Sequence, residues 1–581
     1  MGIPPGNGES TMMNTKKRLA AAAALLAMLL TLCSCSVTVV KKPDGEPKPA
    51  VSARPTVKPS ETPDGGEKDE RTHFTQVWHG DMKYSEMGYE HYELEWFEEY
   101  TAPIYAFAED GGGEEEFADA DYDICEELSY IYTLAVLMNI SSSADPYDSE
   151  LADEYAYAMN VYYSANDAYF TAMRTLALSE HAALLESLYP GAIIDIFRSY
   201  EPDDGSGAEA YDEENRLVAE YYRLMAEDET DYDAVGEIYL KLVALRREKA
   251  GLYGYGSFAE YAYDSIFCKD YTPEDARAVW QGVKEQIVPV MKYYGSAAYN
   301  EALLLEASNT VDCSSEAILA AMDSALADMS GELYDAYRYM IDYELYDIDH
   351  NPGKANTGFT TKLHYLNEPY IFNAAYDEFY DYTDMFHEFG HFVNAFYTES
   401  DLLFGVSDND LCELQSQGME LLFTHYYPDI FGGSAGAAEK YVLVNMISSI
   451  VDGALYDEFQ QRVYAEDGLT VERVNEIYAE LYEEYGYNPY DGYETEWMDI
   501  SHNFENPFYY ISYCVSALGA LEIYSLSLED WDAAVDRYLD VCALDTEAYY
   551  YSEALEEAGL GDIFEPGIYD RIAAALTSGL Q

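Results

Sequence analysis

Hydrophobic and polar residues recur at three-to-four spacing through most of the chain from about Phe74 onward. Leu151–Leu178, Asp212–Tyr253 and Thr272–Leu305 mix Ala, Leu, Glu and Tyr at this spacing, with few Gly or Pro residues to interrupt them. Because a helix places residues three and four apart on one face, the pattern predicts long helices with one buried face. The chain is therefore expected to be mainly α-helical.

Strand patterns are sparse in this sequence. The clearest are Gly358–Tyr365 and Tyr370–Ala374, which flank the turn-like residues Asn367-Glu368-Pro369. Two runs rich in β-branched and aromatic residues around a turn are typical of paired strands. The sequence therefore predicts one small β-sheet within a helical body.

The N-terminal residues have the pattern of an export signal. The basic residues Lys16–Arg18 precede the apolar run Leu19–Leu32, which is shorter than the ~20 residues that a membrane-spanning helix needs. The run ends in Leu32-Cys33-Ser34-Cys35, which resembles a bacterial lipobox and implies lipid attachment at Cys35. An ordinary signal peptide is the alternative.

Residues 36–72 contain many Pro and charged residues and few large apolar ones. Such a composition cannot build a core, and it favours an extended tether. The expected location is therefore the outer face of a bacterial cell membrane, with the membrane contacted only through the lipid anchor.

The composition of the 581-residue chain limits its partners. The sequence contains 110 Asp and Glu residues against 31 Lys and Arg residues, which gives a net charge of −79. A polyanion of this kind repels the phosphates of DNA and RNA, so nucleic acid is excluded as a partner. Hydrophobic residues make up 49% of the chain, enough to bury a large core.

The segment Asp384–Phe396 contains the strongest chemical signature. His387 and His391 are four residues apart, and the apolar residues around them also recur at helical spacing. Two imidazoles on successive turns of a helix project side by side and can bind one Zn²⁺ ion. Glu388 follows the first His and can accept a proton from the attacking water without binding the metal itself. The pattern predicts a zinc hydrolase site.

A catalytic zinc site needs a third protein ligand and an open fourth position. Downstream, Glu413 is expected to start an amphipathic helix on which Glu420 lies two turns further along the same face. Because carboxylates are so abundant in this chain, spacing alone leaves Glu413 as one candidate among several.

Further motifs follow one another in order along the chain. In chain order they are Arg246-Arg247 with Gly254–Tyr261, Gly358-Phe-Thr-Thr361, Pro369-Tyr-Ile-Phe372, His387-Glu388-Phe389-Gly390-His391, and Glu413-Leu-Gln-Ser416-Gln417-Gly-Met-Glu420. Together they resemble the thimet oligopeptidase and oligoendopeptidase F family of zinc metallopeptidases over about residues 75–581. Gln415 departs from the family, many members of which have Pro there. The resemblance implies one zinc ion held by His387, His391 and Glu413, with Glu420 beside these ligands.

The segment Ser501–Tyr513 resembles the family's C-terminal His and Tyr residues. The resemblance implies that His502 and a nearby Tyr face the zinc from across a channel and stabilise the oxyanion of peptide hydrolysis. The segment has one residue more than expected between His502 and the Pro-Phe-Tyr run. The choice among Tyr509, Tyr510 and Tyr513 therefore stays open.

The resemblance implies a mainly α, two-lobed helical metallopeptidase with a deep central channel and a small β-sheet next to the zinc-binding helix. Beyond the signal (1–35) and the tether (36–72), an N-terminal helical lobe (73–350) and a catalytic lobe (351–581) are expected. The expected function is zinc-dependent cleavage of short peptides, which would add to Gly358–Lys362 as an extra strand. The acidic charge predicts a preference for cationic peptides, unless it serves only solubility or tolerance of salt or low pH.

Three alternative functions use the same residues differently. A catalytically silent peptide-binding lipoprotein would capture peptides in the channel, although binding does not need Glu388 as a base. A surface adhesin or structural protein would keep His387 and His391 as core residues without a metal. A zinc carboxypeptidase of related helical fold would trim peptide ends instead of cutting within the peptide.

Overall fold

Helices dominate the computed structural model, which describes residues 73–581 except 201–207, 226–229, 309–310, 352, 356, 377, 400 and 406. The predicted signal, Cys35 and the tether lie outside the described residues. No helix in the described part of the chain is both long enough and apolar enough to cross a membrane.

The first group of helices precedes the sheet. It comprises α1 (Glu98–Asp110), α2 (Glu114–Ala144), α3 (Ser149–Ala177), α4 (Gly191–Ser199), α5 (Ala208–Met225), α6 (Tyr232–Leu252), α7 (Phe258–Tyr261), α8 (Ala276–Gly282), α9 (Val288–Tyr294), α10 (Ala297–Ser308), α11 (Ser315–Met329) and α12 (Gly331–Asp342). A π-helical turn at Ala262–Ile266 extends α7, and another at Val283–Ile287 joins α8 to α9.

The strands and the second group of helices follow. The strands are β1 (Tyr346–Asp347), β2 (Gly358–Leu363) and β3 (Glu368–Asn373). The helices are α13 (Tyr380–Tyr397), α14 (Asn409–Phe423), α15 (Tyr427–Phe431), α16 (Ala435–Ala465), α17 (Val471–Glu484), α18 (Ile511–Ser527), α19 (Trp531–Cys542), α20 (Tyr551–Glu557) and α21 (Gly567–Leu580).

Two of the three long predicted helices are divided in the structure. The pattern at Leu151–Leu178 agrees with α3, but Asp212–Tyr253 contains two helices. The Asp231 side chain accepts the backbone N–H of Ala234 and thereby caps the start of α6. Thr272–Leu305 is divided by a π-helical turn and by the end of α9. Apolar spacing continues across these breaks, so periodicity alone could not locate them.

The sheet has the order β1-β3-β2, with β1 parallel and β2 antiparallel to β3. Strand β2 ends at Leu363, two residues before the predicted end, because the next residues form a 3₁₀ turn. Asn367 closes that turn in a left-handed conformation, with φ of 51°. Within the described residues β2 is an edge strand, so one row of its backbone N–H and C=O groups faces away from the sheet.

The apolar core consists of two clusters. The smaller one is built by α1–α4 and the segment before them, from Tyr92 to Phe197. The larger one extends from Phe74 to Leu580 and includes residues of α5–α12 as well as of the helices that follow the sheet. It is therefore continuous across residues 350 and 351, and the expected division into two domains there stays a prediction.

A buried ion pair ties α14 to the start of α18. The Lys269 ammonium lies 2.8 Å and 3.0 Å from the two carboxylate oxygens of Asp410, and both side chains are only 2% exposed. The same ammonium donates to Ser512 Oγ on α18 at 2.9 Å. The Tyr271 hydroxyl donates to Asp410 Oδ2 at 2.7 Å. Every charge in this group therefore has polar partners, which offset the cost of burying it.

We expect Lys269→Met to lower the free energy of unfolding by about 3–5 kcal/mol, because it leaves the Asp410 carboxylate buried without its cation. Urea unfolding followed by circular dichroism measures the change. Arg216→Gln is the control, since Arg216 pairs with Glu213 on the surface and both side chains are largely exposed. Equal midpoints for Lys269→Met and the wild type would contradict the prediction.

Candidate functional site

Helices α13 and α14 bring the three predicted metal ligands together. The His387 Nε2 atom lies 3.3 Å from Glu413 Oε2, and His391 Nε2 lies 3.9 Å from the same oxygen. One ligand atom from each residue lies within 4.8 Å of the other two. Ligand atoms about 2.1 Å from one tetrahedral ion are roughly 3.4 Å apart, so the observed spacing fits a single metal ion.

Gly390 allows these two helices to approach each other. A Cβ atom at this position would lie 2.6 Å from the Ser416 Cα atom and 2.7 Å from the Gln415 carbonyl oxygen, both on α14. Any side chain would therefore push α14 away, and Glu413 with it. The Ser416 hydroxyl lies 3.1 Å from Glu413 Oε2 and 3.0 Å from the Glu413 backbone oxygen, and its donation to the charged Oε2 orients the carboxylate toward α13. The motifs quoted from the sequence thus have a packing role as well as a chemical one.

Helix α14 begins at Asn409, one turn before the start at Glu413 that the sequence pattern predicts. Asp408 caps it by accepting the N–H of Leu411, so Glu413 lies in the second turn. The Gln415 amide, where Pro was expected, donates to the carbonyls of Val541 and Leu544 and ties α14 to the end of α19. Gln415 is compatible with the helix and adds contacts that Pro could not make.

The carboxylates around His387 favour a cation at this site. Burial opposes ionisation of Glu413, but the hydrogen bond from His387 prevails and lowers the pKa of the carboxyl to about 2. Burial alone would lower the pKa of His387, yet the neighbouring carboxylates of Glu413 and Glu420 raise it well above its usual value. Burial lowers the pKa of His391, which favours the neutral imidazole that binds metals. A metal cation would supply the positive charge that His387 otherwise carries.

Glu420 lies beside the candidate ligand His387. Its Oε2 atom is 3.8 Å from His387 Nδ1, the ring nitrogen on the side away from Glu413. A carboxylate at Nδ1 favours the tautomer that leaves Nε2 available to a metal.

The ligands line a cleft of about 510 Å³ whose other wall is β2, from Gly358 to Lys362. Glu388 faces the same cleft and is 8% exposed. The outward edge of β2 thus lies beside the metal ligands and the predicted base. An extended chain in this cleft could pair with β2 while one of its carbonyls reaches the metal.

The predicted His and Tyr residues form an aromatic group at the start of α18. The His502 ring centroid is 5.1–6.2 Å from the centroids of all three tyrosine rings. Tyr513 lines the cleft together with His387 and Glu388. Tyr510 instead packs edge-on against Tyr456, with centroids 5.1 Å apart. The structure thus brings Tyr513 to the candidate ligands, and the catalytic roles of these residues stay predictions.

Two further side chains, Arg246 and Gln460, hold the His502 segment in place. The buried Arg246 guanidinium donates to the Phe504 carbonyl, two residues after His502. The Gln460 amide oxygen accepts the N–H of Phe508 at 2.6 Å, and Phe508 has a φ of 74°, which is strained for a bulky residue. Arg246 belongs to the Arg246-Arg247 motif, whereas no sequence signal points to Gln460.

Comparison with known proteins agrees with this geometry. Residues 329–546, which include all three candidate ligands, match the family model of peptidase family M3. Over these residues the chain is similar to peptidase family M3. The match also contains Glu388 and the whole of the small sheet, so the similarity to this family lies in the same segment as the candidate site.

A curated relative carries a name that agrees with the motifs. Oligopeptidase PepF of Bacillus subtilis (strain 168) is 24% identical over 253 residues, which cover 41% of this chain and 37% of PepF. The chain thus aligns with little more than a third of the curated relative's length. The predicted resemblance to the oligoendopeptidase F group is confirmed.

Solved structures show the same fold. PZ peptidase A, determined with an inhibitor, has a TM-score of 0.67 at 21% identity, over 86% of this chain and 99% of that one. A structure named for oligoendopeptidase F from Bacillus anthracis strain Ames has a TM-score of 0.64 at 19% identity, over 87% and 98% of the two chains. The predicted mainly α-helical fold with one small β-sheet is confirmed.

Proposed function

We propose that this protein is a zinc-dependent oligoendopeptidase that hydrolyses peptide bonds in short peptides. The observation that supports it most strongly is the arrangement of His387, His391, Glu413 and Glu388 in one cleft beside an edge strand. A peptide-binding protein without activity would need the strand but not a carboxylate placed next to a metal site.

Zinc is the ion that this donor set favours. Two imidazoles and one carboxylate are a known ligand set of catalytic zinc, in which a fourth position stays open. His387, His391 and Glu413 would hold the ion, which would supply a Lewis acid that polarises the scissile carbonyl and acidifies the attacking water.

Glu388 provides the proton transfers in this proposal. Glu388 lies on α13 and faces the cleft together with His387 and His391, so it can reach a water that approaches the metal. Its carboxylate accepts a proton from that water and then delivers it to the leaving amine, which must depart protonated.

The remaining residues bind the peptide and stabilise charge. The backbone of Gly358–Lys362 pairs with the extended peptide and fixes the scissile bond in the cleft. The Tyr513 hydroxyl and the His502 imidazole donate hydrogen bonds to the oxyanion of the tetrahedral intermediate. Burial lowers the pKa of His502, which favours a neutral ring that donates from one nitrogen.

Cleavage of a quenched fluorescent peptide tests the proposal. The zinc-loaded protein should cleave it, a chelator should stop cleavage, and added zinc should restore it. Peptide binding without cleavage would support the silent binding protein, and failure to bind zinc would support the structural role. Mass spectrometry of the products separates cuts within the peptide from removal of single C-terminal residues, which would support a carboxypeptidase.

We propose further that the preferred peptides are cationic. Asp545 and Glu547 line the cleft in addition to Glu388 and Glu413, and Lys362 is the one Lys or Arg among the described residues that line it. The net charge of −79 extends this negative potential beyond the cleft. Cationic peptides are therefore attracted both at a distance and at the site.

We expect matched basic and acidic peptides to differ in kcat/KM at low ionic strength, with the basic peptide cleaved faster. The difference should shrink as salt rises, because added ions screen the attraction beyond about 10 Å at 0.1 M. Steady-state kinetics at two salt concentrations measure this. Equal values of kcat/KM at low salt would leave the acidity with a role in solubility alone.

We also propose that the protein is exported and held on the outer face of the membrane through a lipid on Cys35. The order of basic, apolar and small residues around Lys16–Cys35 supports this location. Detergent-phase partitioning of the wild type and of Cys35→Ser tests it. A wild type that partitions into the aqueous phase as fully as the variant would contradict the lipid anchor.

A further inference from the structure

Thr360, in the middle of β2, contacts the predicted base directly. Its Oγ1 atom lies 2.6 Å from Glu388 Oε2 and 3.0 Å from the Glu388 backbone oxygen. A hydroxyl has one hydrogen, and donation to the charged carboxylate is the stronger of the two bonds. The Thr360 side chain therefore connects two parts of the site. One is strand β2, which would bind the peptide, and the other is the Glu388 carboxylate, which would act on it.

The strand register fixes the direction of this contact. Phe359 pairs with Phe372 on β3, and their rings stack with centroids 5.1 Å apart. Because side chains alternate along a strand, Thr360 points to the opposite face, toward α13. Lys362, on the same face as Thr360, donates from Nζ to the Thr398 carbonyl just after α13 at 2.7 Å. The strand is thus attached to α13 at Glu388 and again at its end.

The contact distinguishes the two oxygens of Glu388. Thr360 holds Oε2, whereas Oε1 faces Gly358, the residue that begins β2. A Cβ atom built on Gly358 would lie 3.1 Å from Asn373 Oδ1 and 3.6 Å from Glu388 Oε1, so Oε1 lies beside this residue at an ordinary contact distance. One carboxylate oxygen is therefore anchored, and the other is beside the glycine at the entrance of the strand.

We propose that Thr360 is a positioning residue for peptide hydrolysis. Its hydroxyl fixes the rotation of the Glu388 carboxylate, so that Oε1 is presented to the attacking water. The proposal rests on the function proposed above, and it assigns Thr360 no contact with the metal or with the reacting atoms. A base that is held in one orientation populates unproductive rotamers less often. The hydrogen bond from Thr360 should therefore raise kcat and leave peptide binding unchanged.

The variants Thr360→Val and Thr360→Ser separate the hydroxyl from the shape of the side chain. Val keeps the branched shape and removes the donor, whereas Ser keeps the donor. We expect Thr360→Val to lower kcat about 10–100-fold, the usual cost of removing such a supporting hydrogen bond. KM should stay within about twofold, and Thr360→Ser should recover most of the rate. Zinc content and the thermal unfolding midpoint should match the wild type in both variants.

Thr424→Val is the matched control. Thr424 is also buried, but it follows the last residue of α14, and its hydroxyl donates to the Leu421 carbonyl on that helix, outside the cleft. The Thr424→Val variant should cleave the peptide at the wild-type rate. If Thr360→Val raises KM instead of lowering kcat, or loses zinc, or is not rescued by Ser, the positioning role is overturned.

A double-mutant cycle with Glu388→Gln tests the route of the effect. If Thr360 acts through Glu388, Thr360→Val should change the residual rate of Glu388→Gln by less than about twofold. The same fold loss in both backgrounds would overturn the proposal while the proposed function stands. Full activity of Glu388→Gln alone would instead refute the function proposed for the site. The two failures are therefore distinguishable.

Discussion

Replacing Glu388 with Gln lowers kcat for peptide cleavage by about two to four orders of magnitude, the usual contribution of a general base. Gln has nearly the same shape as Glu and can still accept the hydrogen bond from Thr360. It cannot accept and release a proton at neutral pH, so only proton transfer is removed. Because Glu388 is not one of the three candidate ligands, the zinc content should be unchanged.

The measurement compares kcat and KM of zinc-loaded wild type and Glu388→Gln on one fluorogenic peptide, with metal content determined by mass spectrometry. Glu439→Gln is the control and should keep the wild-type rate, because Glu439 lies on α16, outside the cleft, where it accepts a hydrogen bond from the Tyr524 hydroxyl on α18. A Glu388→Gln protein that retains zinc and wild-type kcat would exclude Glu388 as the base.

The local part of the site could be predicted from the sequence. His387, Glu388 and His391 lie within five consecutive residues, so the 3.6-residue period of a helix alone determines that both imidazoles project side by side. The structure has these residues on one helix, α13, whose ligand atoms face a common point. No information from elsewhere in the chain was needed for this arrangement.

The long-range part of the site could not be derived from spacing. Glu413 is one of 110 acidic residues, and only the resemblance to a family selected it. Its position depends on how closely α14 packs against α13, which Gly390 permits by having no side chain against Ser416. Helix packing at this level of detail depends on contacts between distant segments, and periodicity does not encode them.

The sequence also could not show which tyrosine after His502 faces the cleft, for a related reason. The segment after His502 is one residue longer than expected, and the structure accommodates it in a loop where Phe508 has a φ of 74°. This conformation is held by Gln460, which lies far away in the sequence. Which of Tyr509, Tyr510 and Tyr513 faces the cleft thus depends on a strained residue that a helical pattern could not reveal.

Replacing Glu413 with Gln should weaken zinc binding by at least about a hundredfold. Mutating a residue that only supports a ligand costs about 10–100-fold, and Glu413 is itself a candidate ligand placed between both histidines. The neutral amide also removes the negative charge that a Zn²⁺ ion needs in this buried site. Cleavage at low zinc should be lost, and part of it should return when zinc is raised.

Glu420→Gln is a comparison variant in which we expect a smaller loss of zinc affinity than in Glu413→Gln. Glu420 contacts His387 at 3.8 Å without being one of the three candidate ligands, so its loss should weaken zinc binding by about 10–100-fold, less than the loss of Glu413. Competition with a chromophoric chelator measures both affinities. Equal zinc affinity in Glu413→Gln and the wild type would show that the carboxylate does not bind the ion. The order of the two losses then decides whether residue 413 acts as a ligand or, like residue 420, only supports His387.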